Sequence, residues 1–378
     1  MSTDALVLGG GIIGLACARE LARAGIRVEL LERLTGGAEA SLAAAGMLAP
    51  LAEAPAPGPF LDACRESRDL WVGWAAQLAE ETGLPVEHDT SGSLLLALAP
   101  EDEPPLARLA AAAAEIGERA EEMALATLAR WVPDAAPGVR RALHLPGDHR
   151  VDNVQACAVL AIAAGRAGVR LTRGFAVERV ERRAGGAPGA RVAGRHGSRE
   201  APLLVVAAGA WSGLVPGLPP LPVRPVRGQM ALLGGVGWPW QGSVRAGHYY
   251  AVRRGATGLL IGATVEEAGF VVHPTLAGIT ELLTFAHRTF PGLAEARLES
   301  TWAGLRPGTP DGLPLVGPLP GWPGVLAATG HFRNGILLAP WTAREIARLA
   351  VAGDGDGATS PFAPARFPEA LSAAAGSV

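Results

Sequence analysis

Apolar and polar positions near the start of the chain follow the order strand, turn, helix, strand. Residues 4–8 form a short apolar run, and the three glycines 9–11 follow it directly. From Ile12 to Ala24 the apolar positions recur at helical spacing, and Gly25 stands where a helix C-terminus favours glycine. Residues 26–31 are again apolar. This order predicts a complete β-α-β unit within about 30 residues.

Later segments continue to alternate between helical patterns and short apolar runs. Helices are predicted around Trp71 and Trp74, over 106–130 as one Ala-rich surface helix, and over 153–168 and 337–351. Residues 36–46 begin with too many glycines to predict a helix with assurance. Buried strands are predicted at 203–208 and 325–329, and the helix over 153–168 leads to a short segment at 169–172. Shorter runs predict an antiparallel sheet between 221 and 300; they are 229–233, 249–253, 258–261 and 270–273.

Length and composition favour two interleaved domains. A chain of 378 residues exceeds what one hydrophobic core usually serves. The 50 glycines and 31 prolines imply many turns and argue against a helical bundle. The formal net charge of −3 provides no basic surface for nucleic acid or for an anionic membrane. We therefore expect no nucleic-acid partner.

The chain shows no targeting or metal-binding pattern. Residues 1–8 lead into an apolar strand without a basic region or a cleavage site, so no secretory signal is expected. No uncharged apolar stretch is long enough to predict a membrane span. Cys17, Cys64 and Cys157 are scattered and form no Cys-x-x-Cys or Cys/His cluster. They indicate reduced core thiols in a cytoplasmic protein that has no metal site.

The first turn carries a dinucleotide-binding motif. Gly9-x-Gly11-x-x-Gly14 lies between a predicted strand and a predicted helix, which is the context that gives this pattern weight. Gly9 permits the tight turn, Gly11 allows the backbone to approach a pyrophosphate, and Gly14 allows close helix–strand packing. Glu32, at the end of the second strand, suits ribose hydroxyls and disfavours a 2′-phosphate. The motif predicts FAD or NAD.

The segment after Glu32 favours FAD over NAD. Its small residues suit a long cofactor that lies against the main chain. Ser41 is within reach of the pyrophosphate region, and Ala45-Gly46-Met47 would let the flavin approach the backbone. These residues alone leave NAD as the alternative.

Taken together, the motifs resemble the D-amino acid oxidase superfamily, and within it the glycine oxidases of thiamine biosynthesis. The resemblance extends to about residue 350. Its most specific parts are Trp302–Thr309 and Gly330–Ile336. The other matching segments are 9–14, 43–47, 207–212, 226–229 and 262–264.

The resemblance implies roles for individual residues. Arg306 resembles the arginine that pairs with the substrate carboxylate, Arg333 a second pocket residue, and Tyr250 the tyrosine that closes the pocket. The alternatives are a structural ion pair for Arg306, a loop anchor for Arg333 and a core position for Tyr250. Further residues match positions that contact the cofactor; they are Ile12, Ile13, Glu32, Arg33, Val177, His331, Phe332, Asn334, Gly335, Ile336 and Leu337.

Two positions depart from the glycine oxidase pattern. Val265 stands where those enzymes have methionine, which leaves the size of the pocket open. Leu42 replaces a residue with a hydroxyl group and removes one hydrogen bond to the pyrophosphate. Sarcosine oxidases attach the flavin through a cysteine close to the position of Arg306, but this chain has none there. The FAD is therefore expected to be non-covalent.

The resemblance implies an α/β (α+β) fold in which a Rossmann-type FAD-binding domain is interleaved with an antiparallel-sheet substrate domain. We expect FAD-binding segments at 1–80, 146–218 and 301–352, with the active-site loops in the last one. Substrate-domain segments are expected at 81–145 and 219–300, and a flexible tail at 353–378.

The expected activity is an FAD-dependent oxidation of glycine or another small amino acid that yields peroxide from dioxygen. Flavin is the electron sink, and Arg306 would fix the carboxylate with a planar pair of donors. If the amine binds neutral, a protein base is not obligatory. The alternatives are a D-amino acid or imino acid dehydrogenase with another electron acceptor, and a non-catalytic flavin-binding subunit. Homo-oligomerisation is left open.

Overall fold

The computed structural model describes residues 3–35, 39–53, 57–352 and 357–372. In the described residues the strands are β1 (Ala5–Leu8), β2 (Val28–Glu32), β3 (Met47–Leu48), β4 (His88–Asp89), β5 (Ser93–Ala97), β6 (Glu121–Glu122), β7 (Arg141–Leu145), β8 (His149–Val151), β9 (Arg170–Arg173), β10 (Val177–Arg182), β11 (Ala190–Gly194), β12 (Gly197–Ala201), β13 (Leu203–Val206), β14 (Arg224–Gly234), β15 (Ser243–Ala246), β16 (Tyr249–Arg254), β17 (Gly258–Gly262), β18 (Arg297–Gly308), β19 (Leu315–Pro318) and β20 (Val325–Thr329).

The α-helices connect these strands and cover the sheets. They are α1 (Ile12–Arg23), α2 (Glu39–Ala43), α3 (Pro50–Glu53), α4 (Pro59–Thr82), α5 (Glu103–Glu115), α6 (Leu125–Trp131), α7 (Asn153–Arg166), α8 (Leu276–Thr289), α9 (Gly335–Ala352) and α10 (Pro368–Ser372).

The first layer is a six-stranded sheet in the order β19-β20-β13-β1-β2-β9. Strands β20, β13, β1, β2 and β9 pair in parallel, while β19 is an antiparallel edge strand. Every residue of β1 and β2 is buried, as expected for parallel strands that are covered on both faces. Helices α1, α4, α7 and α9 cover one face, and the β10-β11-β12 sheet packs on the other.

The second layer is an eight-stranded sheet in the order β18-β14-β17-β16-β15-β5-β7-β6. Helix α8 covers it and packs Leu282, Phe285 and Ala286 against buried side chains of the sheet. Strands β14 and β18 form its longest antiparallel pair and place Arg306 opposite Val226. The antiparallel sheet predicted between 221 and 300 is confirmed, and β5, β6 and β7 extend it. The predicted domain boundaries stay a prediction; β18 runs across the one at 300/301.

Two predicted elements differ from the structure. The single helix expected over 106–130 is divided into α5, β6 and α6, because Gly117 adopts a left-handed φ of 73° that ends α5. The strand expected at 270–273 is a partly exposed segment outside the strands, although Phe270 contacts Trp211 with a ring separation of 5.4 Å. In the segment from 36 to 46, residues 39–43 form α2, while residues 36–38 lie outside the described part.

The C-terminal segment also differs from the expected flexible tail. Residues 357–372 return to the six-stranded sheet, where the N–H of Val316 donates to the carbonyl of Phe362 at 2.8 Å. Phe362 is 5% exposed and packs edge-on against Trp341 of α9. Residues 353–356 and 373–378 lie outside the described part of the chain. The apolar side chain of Phe362 explains why this segment packs on the core. The small residues around Phe362 are typical of a flexible tail and led to that prediction.

The three cysteines are buried in the core beside the six-stranded sheet and carry free thiols. Burial raises the pKa of Cys64 and of Cys157 to about 12, so both thiols stay protonated. No helix within the described ranges is both long enough and apolar enough to cross a membrane.

Candidate active site

The C-terminal ends of the parallel strands border a cavity of about 450 Å³. One wall comes from the residues that follow β1, β2 and β13, together with the end of β20. The opposite wall comes from β14, β16 and β18 of the eight-stranded sheet. A crevice outside the carboxyl ends of parallel strands is where dinucleotides bind in open α/β sheets.

The glycine turn at the end of β1 is shaped by close backbone contacts. A Cβ on Gly9 would lie 2.4 Å from the carbonyl oxygen of Ala207, and a Cβ on Gly14 would lie 1.9 Å from that of Gly9. Gly11 is the N-cap of α1 and has no side-chain cap, while Gly11, Ile12 and Ile13 line the cavity. The start of α1 thus faces the cavity with its backbone.

Glu32 and Ser41 fix this turn from the side. Glu32 accepts hydrogen bonds from the N–H of Gly10 at 2.6 Å and from that of Leu34 at 2.7 Å. Ser41 accepts from the N–H of Ile12 at 3.0 Å through its Oγ. Both side chains line the cavity. The carboxylate is therefore held at the end of β2, where the sequence predicts it.

Most of the residues predicted to contact cofactor or substrate surround this one cavity. They are Gly9, Gly11, Ile12, Ile13, Glu32, Arg33, Ser41, Ala45, Gly46, Met47, Val177, Tyr250, Arg306, His331, Phe332, Arg333, Gly335 and Ile336.

Three predicted residues lie behind the cavity wall. Gly14 packs against Gly9. Asn334 is buried, and its N–H donates to the carbonyl of His331 at 2.9 Å. Leu337 is also buried, and its carbonyl accepts a hydrogen bond from Ser67 at 2.6 Å. Asn334 and Leu337 support the shape of the loop, and neither reaches the cavity.

Arg306 projects from β18 across its neighbour β14. Its Nη1 donates to the carbonyl oxygens of Thr264 at 3.0 Å and Arg227 at 3.4 Å. A Cβ at Gly228 would lie 2.3 Å from the guanidinium nitrogens, so the glycine makes room for this side chain. Within the described residues no carboxylate lies within salt-bridge distance of Arg306. Burial lowers the pKa of Arg306, although a guanidinium keeps its charge.

Tyr250 and Tyr249 point to opposite faces of β16, as strand alternation predicts. Tyr250 is 5% exposed and lines the cavity, where its hydroxyl lies 3.5 Å from the sulfur of Met230. Opposite it, a Cβ on Gly262 would lie 2.7 Å from the tyrosine ring. Tyr249 packs on Phe285 of α8.

The loop between β20 and α9 closes one end of the cavity. Phe332 has a left-handed φ of 49°, and its N–H donates to the carbonyl of Pro307 at 2.9 Å, which ties the loop to β18. His331 is buried, and its Nε2 lies 2.9 Å from the hydroxyl of Thr342. Burial lowers the pKa of His331 to about 3, so this ring is neutral at physiological pH.

Arg333 lines the cavity, but its charge is neutralised by an ion pair with Glu53. Its Nε donates to Glu53 at 2.9 Å and its Nη2 at 3.3 Å. Glu53, the last residue of α3, also accepts from Nη2 of Arg245 at 2.7 Å. Glu53 and Arg333 line the cavity, whereas Arg245 lies behind it in β15.

Sequence reasoning missed Glu53 and assigned no role to Trp211. Glu53 is the only charged residue between Glu39 and Asp62. A single charge in such an apolar segment is the sequence feature that could have indicated a functional role. Trp211 follows β13 and lines the cavity, with the guanidinium of Arg33 lying 3.7 Å from its ring centre. Glu39 pairs with Arg33 at 2.9 Å and also lines the cavity.

The two departures from the family pattern do not reach the cavity. Val265 is 56% exposed and Leu42 is 37% exposed, and neither side chain lines the cavity. The expectation that Val265 bears on the size of the pocket is therefore wrong, because its side chain points to solvent.

The residues present fit FAD. The glycine turn leaves a backbone surface that a phosphate can approach, and the fixed carboxylate of Glu32 stands beside it, where it can accept from ribose hydroxyls. From there the same cavity continues past Ala45, Gly46 and Met47 to Tyr250 and Arg306. A long dinucleotide can thus be held at one end while a small acid meets Arg306 at the other.

Comparison with known proteins agrees with this geometry. Residues 4–349 match the model of the FAD dependent oxidoreductase family. The chain belongs to this family. Its members depend on FAD, so FAD, not NAD, is the dinucleotide.

Curated and solved relatives cover nearly the whole chain. Glycine oxidase of Pseudomonas aeruginosa is 36% identical over 371 residues, which cover 97% of this chain and 99% of that protein. The bifunctional protein ThiO/ThiG of Synechocystis is 37% identical over 377 residues, and the match spans 54% of its length. The crystal structure of glycine oxidase from Geobacillus kaustophilus superposes with a TM-score of 0.88 at 33% identity, covering 95% of this chain and 97% of that one.

Proposed function

We propose that this protein is an FAD-dependent oxidase of glycine or another small amino acid. In the overall reaction, glycine, dioxygen and water yield glyoxylate, ammonia and hydrogen peroxide. The relatives named glycine oxidase support the substrate class. The observation that carries the proposal is Arg306, a cation in the cavity wall that donates to two backbone carbonyls and interacts with Tyr250, but has no carboxylate within salt-bridge distance among the described residues.

In this proposal the chain's own residues bind and orient the substrate. Arg306 receives the carboxylate through two parallel N–H donors and so fixes its plane. Tyr250 covers the pocket from β16 and can donate to the bound acid. FAD, when bound, accepts the two electrons that leave the α-carbon and the amine. We further propose that Gly9, Gly11, Ile12, Glu32 and Ser41 hold its pyrophosphate and ribose.

The proposal does not need a protein base at the α-carbon. Glu32 is held by two backbone N–H groups, and Glu53 is paired with two arginines. His331 is neutral and bonded to Thr342. None of these side chains is free to remove a proton from the α-carbon. The amine is therefore expected to react in its neutral form.

The cellular setting belongs to the same proposal. We propose that the enzyme works in the cytoplasm and supplies thiamine biosynthesis, with dioxygen as the acceptor of electrons.

The test of the proposed function replaces Arg306. Arg306→Ala should retain FAD yet lower kcat/KM for glycine by about 10²–10³, or roughly 3–4 kcal/mol, because a charged hydrogen-bonded pair is lost in a dry pocket. Arg306→Lys should recover only part of this. The measurements are anaerobic flavin reduction by stopped flow and a peroxide-coupled assay of glycine, sarcosine, D-alanine and D-proline.

Arg224→Ala is the matched control. Arg224 lies on β14, the strand that pairs with β18, but its side chain forms a salt bridge with Glu267 at the surface. Its kcat/KM should equal that of the wild type. Normal flavin reduction in Arg306→Ala would end the assignment. In the wild type, flavin reduction by substrate without formation of peroxide would indicate a dehydrogenase. If none of the substrates reduced the flavin of the wild type, the protein would be a non-catalytic flavin-binding subunit.

A further inference from the structure

We propose that Glu53 determines how many carboxylates the substrate can carry: it neutralises Arg333, so that the pocket accepts a monocarboxylic amino acid and discriminates against a dicarboxylic one. The inference rests on the proposed function and deepens it. Glu53 acts through charge and position, and it needs no contact with the reacting atoms.

Three guanidinium groups lie at the substrate end of the cavity. Arg306 and Arg333 line it, and Arg245 lies directly behind, with its guanidinium 6.0 Å from the ring centre of Tyr250. The charge of Arg333 acts on Arg306 and helps to lower the pKa of Arg306. Without compensation, this group of cations would bind an acid with two carboxylates more tightly than an acid with one.

Glu53 provides the compensation. Each of its two oxygens is used: Oε2 accepts from Nε of Arg333 at 2.9 Å, and Oε1 accepts from Arg245 at 2.7 Å and from Nη2 of Arg333 at 3.3 Å. The side chain of Glu53 is only 9% exposed, so water screens these pairs weakly. The two-point contact also holds the planar group of Arg333 in one orientation.

The fold keeps Glu53 at this position. It is the last residue of α3 and is joined to the eight-stranded sheet through Arg245 on β15, and to the loop before α9 through Arg333. A substrate with a second carboxylate has to displace Glu53 from Arg333 or remain unpaired beside it. Both alternatives oppose its binding, whereas a single carboxylate meets Arg306 without disturbing this pair.

The test removes the negative charge and keeps the shape of the side chain. In Glu53→Gln, Arg333 becomes available to a second carboxylate. The ratio of kcat/KM for iminodiacetate to that for glycine should rise about tenfold or more, because the two substrates differ by one carboxymethyl group and a charged pair is gained. The dissociation constant of malonate relative to acetate should fall by a similar factor, measured anaerobically from the change in flavin absorbance.

A double variant separates charge compensation from a merely structural role. The gain in Glu53→Gln requires Arg333, so it should disappear in Glu53→Gln/Arg333→Met, as a coupled pair predicts. Asp148→Asn is the matched control. It also removes a buried carboxylate beside Arg245, but Asp148 does not line the cavity. Its iminodiacetate-to-glycine ratio should equal that of the wild type.

The wild type provides a measurement that does not depend on how the variants fold. Malonate should bind no more tightly than acetate, and much tighter binding of malonate would overturn the proposal. An unchanged ratio in a folded, flavin-loaded Glu53→Gln would also overturn it, as would a gain that persists in the double variant. If the wild type oxidises no amino acid, the proposed function fails, while the comparison of malonate with acetate still tests Glu53.

Discussion

Buried charges in this protein differ in whether they have partners. Glu53 forms ion pairs with Arg245 and Arg333, whereas Asp148 is buried and forms no salt bridge among the described residues. Burial raises the pKa of Asp148 to about 7, although the hydroxyl of Ser93 and the charges of Arg245 and Arg68 oppose this rise. A carboxyl group in this state holds its proton more tightly in the folded chain than in the unfolded chain.

This difference predicts how stability depends on pH. Because the folded pKa is raised, the contribution of Asp148 is favourable at low pH and is lost as the pH rises through about 7. Asp148→Asn lacks this loss, so its Tm should exceed that of the wild type by a growing margin from about pH 5 to about pH 8. Circular dichroism melting curves at several pH values would measure the margin.

Asp152 is the contrasting control for that experiment. Burial would raise its pKa, but the N–H of Gln155 and the guanidinium of Arg254 lower the pKa below its usual range. Asp152 also caps α7. Asp152→Asn should therefore reduce Tm at neutral pH, with a smaller loss in acid. A margin for Asp148→Asn that does not change with pH would contradict the assignment.

At the residue scale, the sequence predicts what local rules determine. The glycine spacing identifies the turn, the end of the second strand locates the carboxylate of Glu32 at the cavity, and strand alternation selects one of two adjacent tyrosines. These rules do not identify Glu53, because it ends a helix of a single turn and its partners are distant in sequence. Only the folded chain brings Arg245 and Arg333 to it.

At the element scale, a bridge crosses the glycine turn. In the six-stranded sheet β2 and β13 flank β1. Arg33 follows β2, Trp211 follows β13, and their side chains stack at 3.7 Å from guanidinium carbon to ring centre. Both residues line the cavity, and Glu39 holds Arg33 from the other side. The stack therefore spans the end of β1, beside the glycine turn that we propose holds the dinucleotide.

Loss of this bridge should accelerate the release of FAD. A cation–π contact is worth about 0.5–2 kcal/mol, so Arg33→Ala and Trp211→Ala should each increase the dissociation rate by roughly 2–30-fold. The recovery of flavin fluorescence after dilution into a flavin-trapping protein measures this rate. Arg182→Ala removes a similar stack on Trp322 outside this cavity and should leave the rate unchanged. Equal rates in all four proteins would show that the bridge does not retain the cofactor.

Elements were predictable where the periodicity is long and were missed where one residue interrupts it. The β-α-β unit and helix α9 follow from repeated apolar spacing. The pattern over 106–130 continues through Gly117, yet the left-handed backbone there ends the helix. Residues 270–273 are apolar enough for a strand but lie outside the sheets, and apolar spacing alone contains no information on pairing partners.

At the scale of the whole molecule, the C-terminal segment is part of the core. Phe362 packs on Trp341, and Arg366 pairs with Asp311 at 2.7 Å. Phe362→Ala should reduce the free energy of unfolding by about 3–5 kcal/mol, because a buried aromatic ring leaves a cavity. Denaturant unfolding would measure this loss. Val351→Ala changes an exposed side chain at the end of α9 and should cost little. Equal losses in the two variants would place Phe362 outside the core.

The sheet order could not be predicted beyond its first strands. A right-handed crossover explains why β1 and β2 are neighbours. The return of the chain to β13 and β20, and the addition of β5, β6 and β7 to the second sheet, join segments that are far apart in sequence. Pairings of this kind depend on the packing of whole layers, which a local pattern does not encode.

The walls of the cavity consist of residues from Leu8 to Ile336, drawn from both sheets and from nearly the whole length of the chain. During synthesis, the glycine turn leaves the ribosome long before the strand that contains Arg306 and the loop that precedes α9. No early fragment can contain a complete site. On the proposed cofactor site, FAD can contact all of these walls only after most of the polypeptide has been made, and it would then join the first turn of the protein to one of its last loops.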